Sequence, residues 1–215
     1  LSHLHFTSTE AYRRRAIQLG EQPSLVHNVG AIGLDNIVNI QLLSKASLAT
    51  NLNVGFKRYN YQVTFHPETL ADVSAAAQFQ ILLDALRHQK DSFFVFTKSN
   101  ADTDGRVINT MIDEFVQQNP SLAATFTSLG SLRFLSLLKM CDAIIGNSSS
   151  GIIEAPSLGI ATINIGDRQK GRIQASSVIN CAVDENAISA AITKAKDPAF
   201  KEQLSTFINP YGSGG

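Results

Sequence analysis

The sequence predicts an α/β protein built on a doubly wound parallel sheet. Short apolar segments rich in β-branched residues alternate along the 215 residues with longer segments of helical periodicity, which is typical of β–α–β units. The strand-like segments are continuously apolar, as expected when helices cover both faces of a sheet. In such a sheet the loops after the strands share one edge, where ligands bind. Several of those loops are polar or contain glycine.

The individual elements follow from these two kinds of pattern. Strands are predicted over residues 4–7, 26–29, 61–65, 93–96, 123–127, 143–145, 162–165 and 178–180. Helices are predicted over residues 10–19, 44–52, 69–89, 104–118, 131–140, 151–157, 185–196 and 199–207. We expect Thr9 to cap the first helix and Gly20 to end it. Segment 32–44 is ambiguous between the two patterns.

The composition is that of a globular protein without an overall charge. The chain is 44% hydrophobic and 17% charged, and its 18 basic residues balance 18 acidic ones. This balance removes the electrostatic argument for nucleic acid or an acidic membrane surface as a partner, and no apolar run approaches the roughly 18 residues of a membrane span. The two cysteines, Cys141 and Cys181, lie in apolar surroundings, so we expect no disulfide framework and a reducing cytoplasm.

The two ends suggest a piece of a longer protein. The first residue is Leu1 rather than Met, and it opens directly into a strand-like segment. The last residues, 209–215, are rich in glycine and are expected to be flexible. We therefore expect a chain that is cut at both ends.

The most informative motif is segment 144–154, with the sequence IIGNSSSGIIE. A strand, a tight loop and a helix start would bring backbone N–H groups, serine hydroxyls and the positive end of a helix dipole to one place. Such a place binds anions, most often phosphate. Ser150 could simply cap the helix, but that does not account for Ser148 and Ser149. The motif lacks the lysine of a Walker A loop, which argues against ATP hydrolysis of that type.

A basic loop follows the next predicted strand and faces the same edge. This loop, residues 167–172 with the sequence DRQKGR, carries Arg168, Lys170 and Arg172. They could belong to an ordinary solvated turn, but their position opposite the serines favours at least one contact with phosphate. Arg168 comes first after the strand, and arginine can bind phosphate through two hydrogen bonds, so we expect Arg168 to make that contact.

Glu154 and His66 are further candidates on this edge. Glu154 lies within about one helical turn of the serines, where it could merely complement the helix dipole or could accept hydrogen bonds from ribose hydroxyls. His66 follows a strand and precedes Pro67, and both a structural and a functional role are open. His3 and His5 alternate along a strand-like segment, so they are expected to point to opposite faces and not to form a metal pair.

The sequence contains no motif for a metal site or for a nucleophilic serine. No Cys/His cluster has the spacing of a zinc site, and no G-x-S-x-G segment occurs. Asp102 and Asp104 precede Gly105 as in part of a calcium loop, but the downstream ligands of such a loop are missing. We therefore expect neither a metal nor a cofactor.

Together the motifs closely resemble the hydrolysing UDP-N-acetylglucosamine 2-epimerases. The resemblance is carried by segments 146–159 (GNSSSGIIEAPSLG) and 164–172 (NIGDRQKGR). It extends in the same order to segments 1–6, 29–31, 63–69 and 209–212. Because it spans essentially the whole chain, the resemblance is specific.

This resemblance implies one part of a two-domain enzyme. Enzymes of the family have two Rossmann-like domains that face each other across a cleft, in the glycosyltransferase-B architecture. On that map residues 1–40 are the end of the N-terminal domain and the hinge, and residues 41–209 are the C-terminal UDP-binding domain. Residues 210–215 are a flexible, truncated tail. The acidic catalytic residues of the family lie in the N-terminal domain, so they are expected outside this chain.

The resemblance also implies a reaction and residue roles. The family removes the C2 proton of UDP-N-acetylglucosamine, expels UDP and adds water to the glycal intermediate, which gives N-acetylmannosamine. Ser148 and Ser149 match the diphosphate contacts and Glu154 matches the ribose contact. Arg168 and His66 match residues that also reach the nucleotide, and His66 is the candidate catalytic residue within this chain.

Leu129 falls near the uracil-binding loop of the family. The expected ligand is UDP or a UDP-sugar, and the family's assembly implies a homo-oligomer in the full-length protein. The sugar stays open between N-acetylglucosamine and a 4-acetamido-6-deoxy analogue, because the sugar contacts should lie mostly in the missing half. The fragment is expected to bind UDP without turnover. A UDP-sugar glycosyltransferase of the same architecture and a non-catalytic nucleotide-binding module are the alternatives.

Overall fold

The structure, a computed structural model, describes residues 2–67, 73–99 and 103–214, which contain two parallel sheets. The smaller sheet pairs β1 (His5–Thr7) with β2 (Val26–Asn28), and helix α1 (Glu10–Gln18) connects them. We call β1, α1 and β2 the first unit. Thr9 caps α1 as predicted, because its hydroxyl accepts a hydrogen bond from the backbone N–H of Tyr12 at 3.1 Å.

The larger sheet has six parallel strands, which confirms the predicted doubly wound α/β fold. The strands are β3 (Tyr59–Thr64), β4 (Ser92–Thr97), β5 (Ala123–Phe126), β6 (Ala143–Gly146), β7 (Ala161–Ile165) and β8 (Val178–Cys181). Their order across the sheet is β5-β4-β3-β6-β7-β8, with every adjacent pair parallel. This is the strand order of a Rossmann-like sheet, and the direction of winding reverses between β3 and β6.

Helices connect these strands and cover both faces of the sheet. They are α2 (Asp35–Asn39), α3 (Lys45–Leu52), α4 (Ala75–Arg87), α5 (Thr103–Gln118), α6 (Gly130–Met140), α7 (Ser150–Ser157), α8 (Glu185–Lys196) and α9 (Pro198–Gln203). Single 3₁₀ turns lie at Pro23–Leu25, Ile32–Leu34 and Leu204–Thr206. The ambiguous segment 32–44 therefore contains a 3₁₀ turn and α2. Among the described helices, none has the length and apolar character needed to cross a membrane.

Neighbouring residues on one strand are buried on opposite faces, which explains why the strands are continuously apolar. On β4, Phe94 and Phe96 belong to a core cluster that includes residues of α4, α5 and α8. Phe93 and Val95 belong to a different cluster, formed with residues of α3 and α6. Because both faces of the sheet are sealed in this way, ligands are left to the loops at the carboxyl ends of the strands.

One helix begins later than the sequence predicts, and another ends earlier. The prediction for the first was residues 69–89, but α4 begins at Ala75 because Ser74 caps it, accepting a hydrogen bond from the backbone N–H of Ala77 at 3.3 Å. Residues 69–72 of that prediction lie outside the described residues. The helix predicted over 199–207 ends as α9 at Gln203, where a 3₁₀ turn replaces its last part.

The last described residues fold back toward the first unit, which differs from the expected flexible tail. Tyr211 is only 2% exposed, and it lies in a small apolar cluster with Leu34 and Ile152. The carbonyl of Tyr211 accepts a hydrogen bond from the backbone N–H of Ala31 at 2.9 Å. A buried aromatic ring contributes a large apolar area, and this outweighs the glycines around it.

Candidate functional site

The carboxyl ends of β3 and β6 lie side by side where the winding reverses. Thr64 and Gly146 are partners at the last position of their register. Gly146 has a φ of +131°, and a Cβ at this position would lie 2.0 Å from the carbonyl oxygen of Thr64, so only glycine fits. The chain therefore turns directly over the end of β3, and it borders the crevice in which doubly wound sheets bind ligands.

Asn147 joins the two loops at this crevice. Its side chain is fully buried. Its Oδ1 accepts a hydrogen bond from the backbone N–H of His66 at 2.7 Å, and its Nδ2 donates to the His66 carbonyl at 2.9 Å. Asn147 belongs to the predicted motif, but the sequence predicted no role for it. An asparagine directly after an apolar strand was the available signal, although its partner could not be read from the sequence.

The basic loop reaches the same residue from β7. The carbonyl of Asn147 accepts one hydrogen bond from Arg168 Nη1 at 3.0 Å and another from Gln169 Nε2 at 2.7 Å. Arg168 is largely exposed, whereas Gln169 is only 1% exposed. The structure therefore brings the Arg168 guanidinium next to the serine loop, and it adds Gln169, for which the sequence predicted no role.

The other two cations of the basic loop, Lys170 and Arg172, are exposed, and Lys170 pairs with an acidic neighbour. Lys170 is exposed and pairs with Asp167, with 2.9 Å between Nζ and Oδ2. The hydrogen bond from Lys170 to Asp167 raises the pKa of the lysine, so Lys170 stays charged but is partly neutralised by its neighbour. Arg172 is also exposed. Of the three cations, Arg168 has the contact that places it at the end of β6.

The serines lie at the start of α7, but not in the predicted capping arrangement. The helix includes Ser150, and the residue at the N-cap position is Ser149, whose side chain makes no capping hydrogen bond. The expectation that Ser150 is the N-cap is therefore wrong by one residue. Ser148 Oγ instead lies 3.4 Å from the backbone N of Ser150. All three serines are partly exposed, and the N-terminal end of α7 faces the crevice.

Close packing holds α7 against β7. The hydroxyl of Thr162 donates to the carbonyl of Gly151 at 2.6 Å. A Cβ on Gly151 would lie 2.5 Å from Thr162 Cγ2, so the glycine permits the close approach of helix and strand. This contact fixes the first turn of α7, and with it the positions of the serines.

Glu154 is the fifth of the eight residues of α7, beyond the first turn. The dipole explanation offered from the sequence is therefore wrong, because a carboxylate benefits from the dipole only within that turn. Burial raises the pKa of the Glu154 carboxyl, and a hydrogen bond from the Ser150 side chain partly offsets this. Its Oε2 is buried without a hydrogen-bond partner among the described residues. The carboxylate faces the turn that contains Gly33, because a Cβ there would lie 3.3 Å from Oε1.

His66 is partly exposed at the end of β3. Its Nδ1 lies 3.2 Å from the hydroxyl of Ser99, in the loop after β4. That loop is held by a second amide: the backbone N–H of Ser99 donates to Asn109 Oδ1 at 2.8 Å, and Asn109 Nδ2 donates to the Ser99 carbonyl at 3.2 Å. The imidazole is thus held between two loops that are each fixed by an asparagine.

Leu129 lies beyond the carboxyl end of β5, and two strands, β4 and β3, separate it from β6 and the serine loop. Its side chain is 3% exposed and packs in a core cluster with Val95 and Leu137. The Leu129 side chain is therefore part of the core, and a uracil contact here would involve the backbone or the exposed residues Thr127 and Ser128.

Two other polar residues are held in ion pairs. Lys98, directly after β4, pairs with Asp113 at 2.7 Å, and His5 Nε2 lies 2.9 Å from Glu21. Within residues 2–67, 73–99 and 103–214, no group of three or more histidine, cysteine or acidic residues could hold a metal ion. Asp102 and the side chain of Asp104 lie outside the described part of the chain.

The carboxyl ends of β6 and β7 thus bring together the Arg168 guanidinium, the N-terminus of α7 and the serine hydroxyls. Each of these groups can donate hydrogen bonds, and contacts with Asn147 and Thr162 hold Arg168 and the first turn of α7 in place. Such an arrangement fits a phosphate or diphosphate. Glu154 and His66 add an acceptor and an imidazole within the same group of loops.

Comparisons with known proteins show the family of this chain. The family model described as "UDP-N-acetylglucosamine 2-epimerase" matches residues 1–215. The chain is 42% identical over 215 residues to polysialic acid biosynthesis protein P7 of Escherichia coli, covering 98% of this chain and 54% of that protein. It is 40% identical over 202 residues to the GDP/UDP-N,N'-diacetylbacillosamine 2-epimerase (hydrolyzing) of Campylobacter jejuni, covering 94% of this chain and 52% of that protein.

A solved structure shares the fold over nearly the whole chain. The UDP-GlcNAc 2-epimerase from Neisseria meningitidis, bound to UDP-GlcNAc, superimposes with a TM-score of 0.76 at 15% identity, covering 99% of this chain and 58% of that structure. The chain thus spans about half the length of the relatives it matches. On the strength of the family model and of the two relatives above, it belongs to the UDP-N-acetylglucosamine 2-epimerase family.

Proposed function

We propose that this chain is the UDP-binding part of a hydrolysing UDP-N-acetylglucosamine 2-epimerase, which converts UDP-N-acetylglucosamine and water to N-acetylmannosamine and UDP. The observation that carries this proposal is the convergence of the serine loop and Arg168 at the carboxyl ends of β6 and β7, next to the point where the winding of the sheet reverses. The 40% identity to an enzyme named as hydrolysing supports the same subtype.

The serine loop and Arg168 are assigned to the diphosphate. When UDP leaves the sugar, negative charge grows on its β-phosphate. The hydroxyls of Ser148 and Ser149, the N-terminus of α7 and the Arg168 guanidinium would stabilise that charge as it develops. Donors that are fixed in advance are the most effective, and losing one costs roughly 2.7–4 kcal/mol of transition-state stabilisation in well-studied oxyanion sites.

Glu154 is assigned to the ribose. Its buried Oε2 has no hydrogen-bond partner among the described residues, and a ribose hydroxyl would supply the missing donor. Burial raises the pKa of this carboxyl in the unliganded protein. A hydroxyl that donates to the ionised form would lower that pKa again, because hydrogen bonds to the charged form favour it.

His66 is the candidate catalytic residue on this side of the cleft. Its backbone is held by Asn147 and its ring by Ser99, so the imidazole is fixed next to the diphosphate site. The resemblance to the family places the acidic residues that would move the C2 proton in the N-terminal domain. We infer that this chain supplies only the end of that domain and the hinge, as residues 1–40. Residues 41–209 then bind UDP, and the isolated chain does not turn over substrate.

A titration with UDP tests the binding part of this proposal. A ligand present at about 100 times its Kd stabilises a protein by about 2.7 kcal/mol. For a chain of this size that corresponds to a rise in Tm of roughly 5–10 °C. Inorganic phosphate is the control, since it should give a smaller rise. The absence of any UDP-dependent change in Tm would contradict the proposal.

Arg168→Ala is expected to weaken UDP binding by about 10-fold or more, because it removes a charge-assisted hydrogen bond to phosphate. Arg14→Ala is the matched control. Arg14 lies on α1, is mostly exposed and pairs only with Glu10 among the described ion pairs, so its loss should leave UDP affinity unchanged. Equal effects of the two substitutions would remove Arg168 from the site.

Product analysis tests the reaction. Incubated with UDP-N-acetylglucosamine, the isolated chain should release neither UDP nor N-acetylmannosamine. Release of both would contradict the inference that the chain alone is inactive. Release of UDP only when an acceptor sugar is added would instead identify a glycosyltransferase.

A further inference from the structure

A tyrosine of the first unit contacts the end of the basic loop. The hydroxyl of Tyr12, on α1, accepts a hydrogen bond from the backbone N–H of Ile173 at 3.3 Å. The same hydroxyl lies 3.2 Å from that of Tyr211. Ile173 directly follows Arg172, the last residue of the basic loop. Residues that lie 161 positions apart in the sequence therefore meet at this loop.

The position of Tyr12 is itself well determined. Its backbone N–H donates to Thr9 Oγ1 in the cap of α1. Arg13 Nε donates to the Val26 carbonyl at 2.8 Å, which fixes α1 against β2. The ring of Tyr12 packs against the ring of Tyr211, with 6.3 Å between their centroids. The hydroxyl is thus presented to the loop by a fixed side chain rather than a mobile one.

The basic loop is held at both ends. At its start Arg168 and Gln169 donate to the carbonyl of Asn147. Within it, the backbone N–H of Lys170 donates to the Asp167 carbonyl at 2.8 Å and that of Arg172 donates to the Gln169 carbonyl at 3.2 Å. These turns leave the N–H of Ile173 directed to Tyr12. Movement of this end of the loop would therefore be transmitted through two short turns to Arg168.

The Tyr211 hydroxyl keeps its proton over the neutral pH range. Burial raises the pKa of this hydroxyl, and the hydrogen bond with Tyr12 raises it further, although the positive charge of Arg172 acts in the opposite direction. Tyr211 is therefore available as a hydrogen-bond donor to its neighbour at physiological pH.

We propose that Tyr12 is a positioning residue for the anion site: its hydroxyl fixes the end of the basic loop and thereby couples the first unit to the placement of Arg168. The inference rests on the proposed function only in taking UDP as the ligand. It assigns to the first unit a role in binding that its sequence motifs do not indicate.

The test compares Tyr12→Phe with Tyr59→Phe in the purified protein. Tyr12→Phe removes one acceptor and keeps the ring, so UDP affinity should fall about 3- to 10-fold, the range expected for one hydrogen bond. Amide hydrogen exchange at Ile173 should become faster. Tyr59 is the first residue of β3, at the end of the strand opposite the anion site, so Tyr59→Phe should change neither quantity.

A double-mutant cycle separates positioning from general stability. If Tyr12 acts through Arg168, then Tyr12→Phe should change UDP affinity less than about 2-fold in an Arg168→Ala background, because contacts that act together are not additive. The same loss of affinity in both backgrounds would overturn the inference. Should Tyr12→Phe fold poorly, Ile173→Pro removes the donor of the same hydrogen bond and keeps Tyr12 in place, and an unchanged UDP affinity in that variant would overturn the inference as well.

The outcomes distinguish this inference from the proposed function. If the wild-type protein binds UDP and Arg168→Ala weakens it, but Tyr12→Phe changes neither affinity nor Ile173 exchange, the inference is wrong and the proposed function stands. If the wild-type protein does not bind UDP, both are wrong.

Discussion

Asn147→Asp exchanges a single side-chain group at the centre of the site, the Nδ2 amide nitrogen, for an oxygen. The remaining oxygen still accepts from the backbone N–H of His66, but the new oxygen faces the His66 carbonyl, which the amide contacts at 2.9 Å in the native chain. Two acceptors then oppose each other in a fully buried position. We expect this substitution to destabilise the protein in a manner that depends on pH.

The size of this destabilisation follows from the hydrogen bond that is lost and from the buried charge that is added. Losing a buried hydrogen bond and leaving a carbonyl unsatisfied costs about 1–3 kcal/mol, and burial of the new charge adds to this. At neutral pH the free energy of unfolding should fall by about 3 kcal/mol. Once protonated, the new carboxyl can donate to the His66 carbonyl, so the loss should shrink to about 1 kcal/mol or less near pH 4.

The sign of the pH dependence is fixed by the pKa. Burial raises the pKa of the new carboxyl in the folded state above its unfolded value of about 3.9. The stabilisation that the protonated carboxyl contributes is therefore fully present below its pKa in the unfolded state. It is lost as the pH rises through its pKa in the folded state. The deficit relative to the native chain must grow from acidic to neutral pH.

Urea unfolding between about pH 4 and pH 7.5 measures this deficit. The chain contains no tryptophan, so far-ultraviolet circular dichroism is the suitable signal. Asn109→Asp is the matched control, since Asn109 holds the Ser99 loop by the same pair of hydrogen bonds. Both variants should lose stability with rising pH, but only Asn147→Asp should also greatly weaken UDP binding. A deficit below about 1 kcal/mol that does not vary with pH would refute the reasoning.

Two further predictions concern α7 and its entry. Burial raises the pKa of Glu154. The stabilisation that its protonated carboxyl contributes is therefore present below the unfolded-state pKa of about 4.3, and it is lost as the pH rises. Glu154→Gln should therefore raise the Tm of the unliganded protein at pH 7 while weakening UDP binding about 10-fold; a titration with unchanged affinity would exclude the ribose contact. Gly146→Ala should cost more than about 3 kcal/mol, since its Cβ would meet the Thr64 carbonyl at 2.0 Å. Gly151→Ala should cost less, about 1–3 kcal/mol, because its Cβ meets a side chain, Thr162 Cγ2 at 2.5 Å, rather than the backbone, and equal denaturation midpoints would contradict this difference.

The sheet could be predicted from the sequence because its signals are local. Phe93 to Phe96 are apolar at every position because alternate residues enter opposite cores, and this pattern indicates a covered parallel strand. Helix α8 was predicted over 185–196 and occupies that range, since Asp184 caps it through the backbone N–H of Ala187. The signals that predict α8 are its N-cap, its periodic apolar face and its polar boundary, and all of them lie within one short segment.

The site could be predicted only in part, because its connections are not local. The serine loop and Arg168 follow strands, so their common edge follows from the fold class. The pairing of Asn147 with His66 depends on β6 lying next to β3, and strand order is not written in either segment. The N-cap of α7 was predicted wrongly for the same reason. The turn of Gly146 over Thr64 sets where the helix begins, and local sequence preferences placed that start one residue too late.

Leu129 and Tyr211 illustrate the same limit in the core. Each occurs beside small or polar residues in the sequence, and each is almost completely buried in the structure. Leu129 packs with residues of β4 and α6, and Tyr211 packs with Leu34 and Ile152. Their partners are distant in sequence, so composition around them gives no indication of burial.

The contact between Tyr12 and Tyr211 also bears on the order in which the chain folds. The two hydroxyls are separated by 199 positions in the sequence, so this contact closes almost the whole chain into one loop. Contacts of such long range form late, because the entropy of a long loop must be overcome before they contribute. During synthesis Tyr12 is made 199 residues before Tyr211, so the contact cannot form until that whole segment has followed. The ring pair is therefore a natural reporter for the last step of folding.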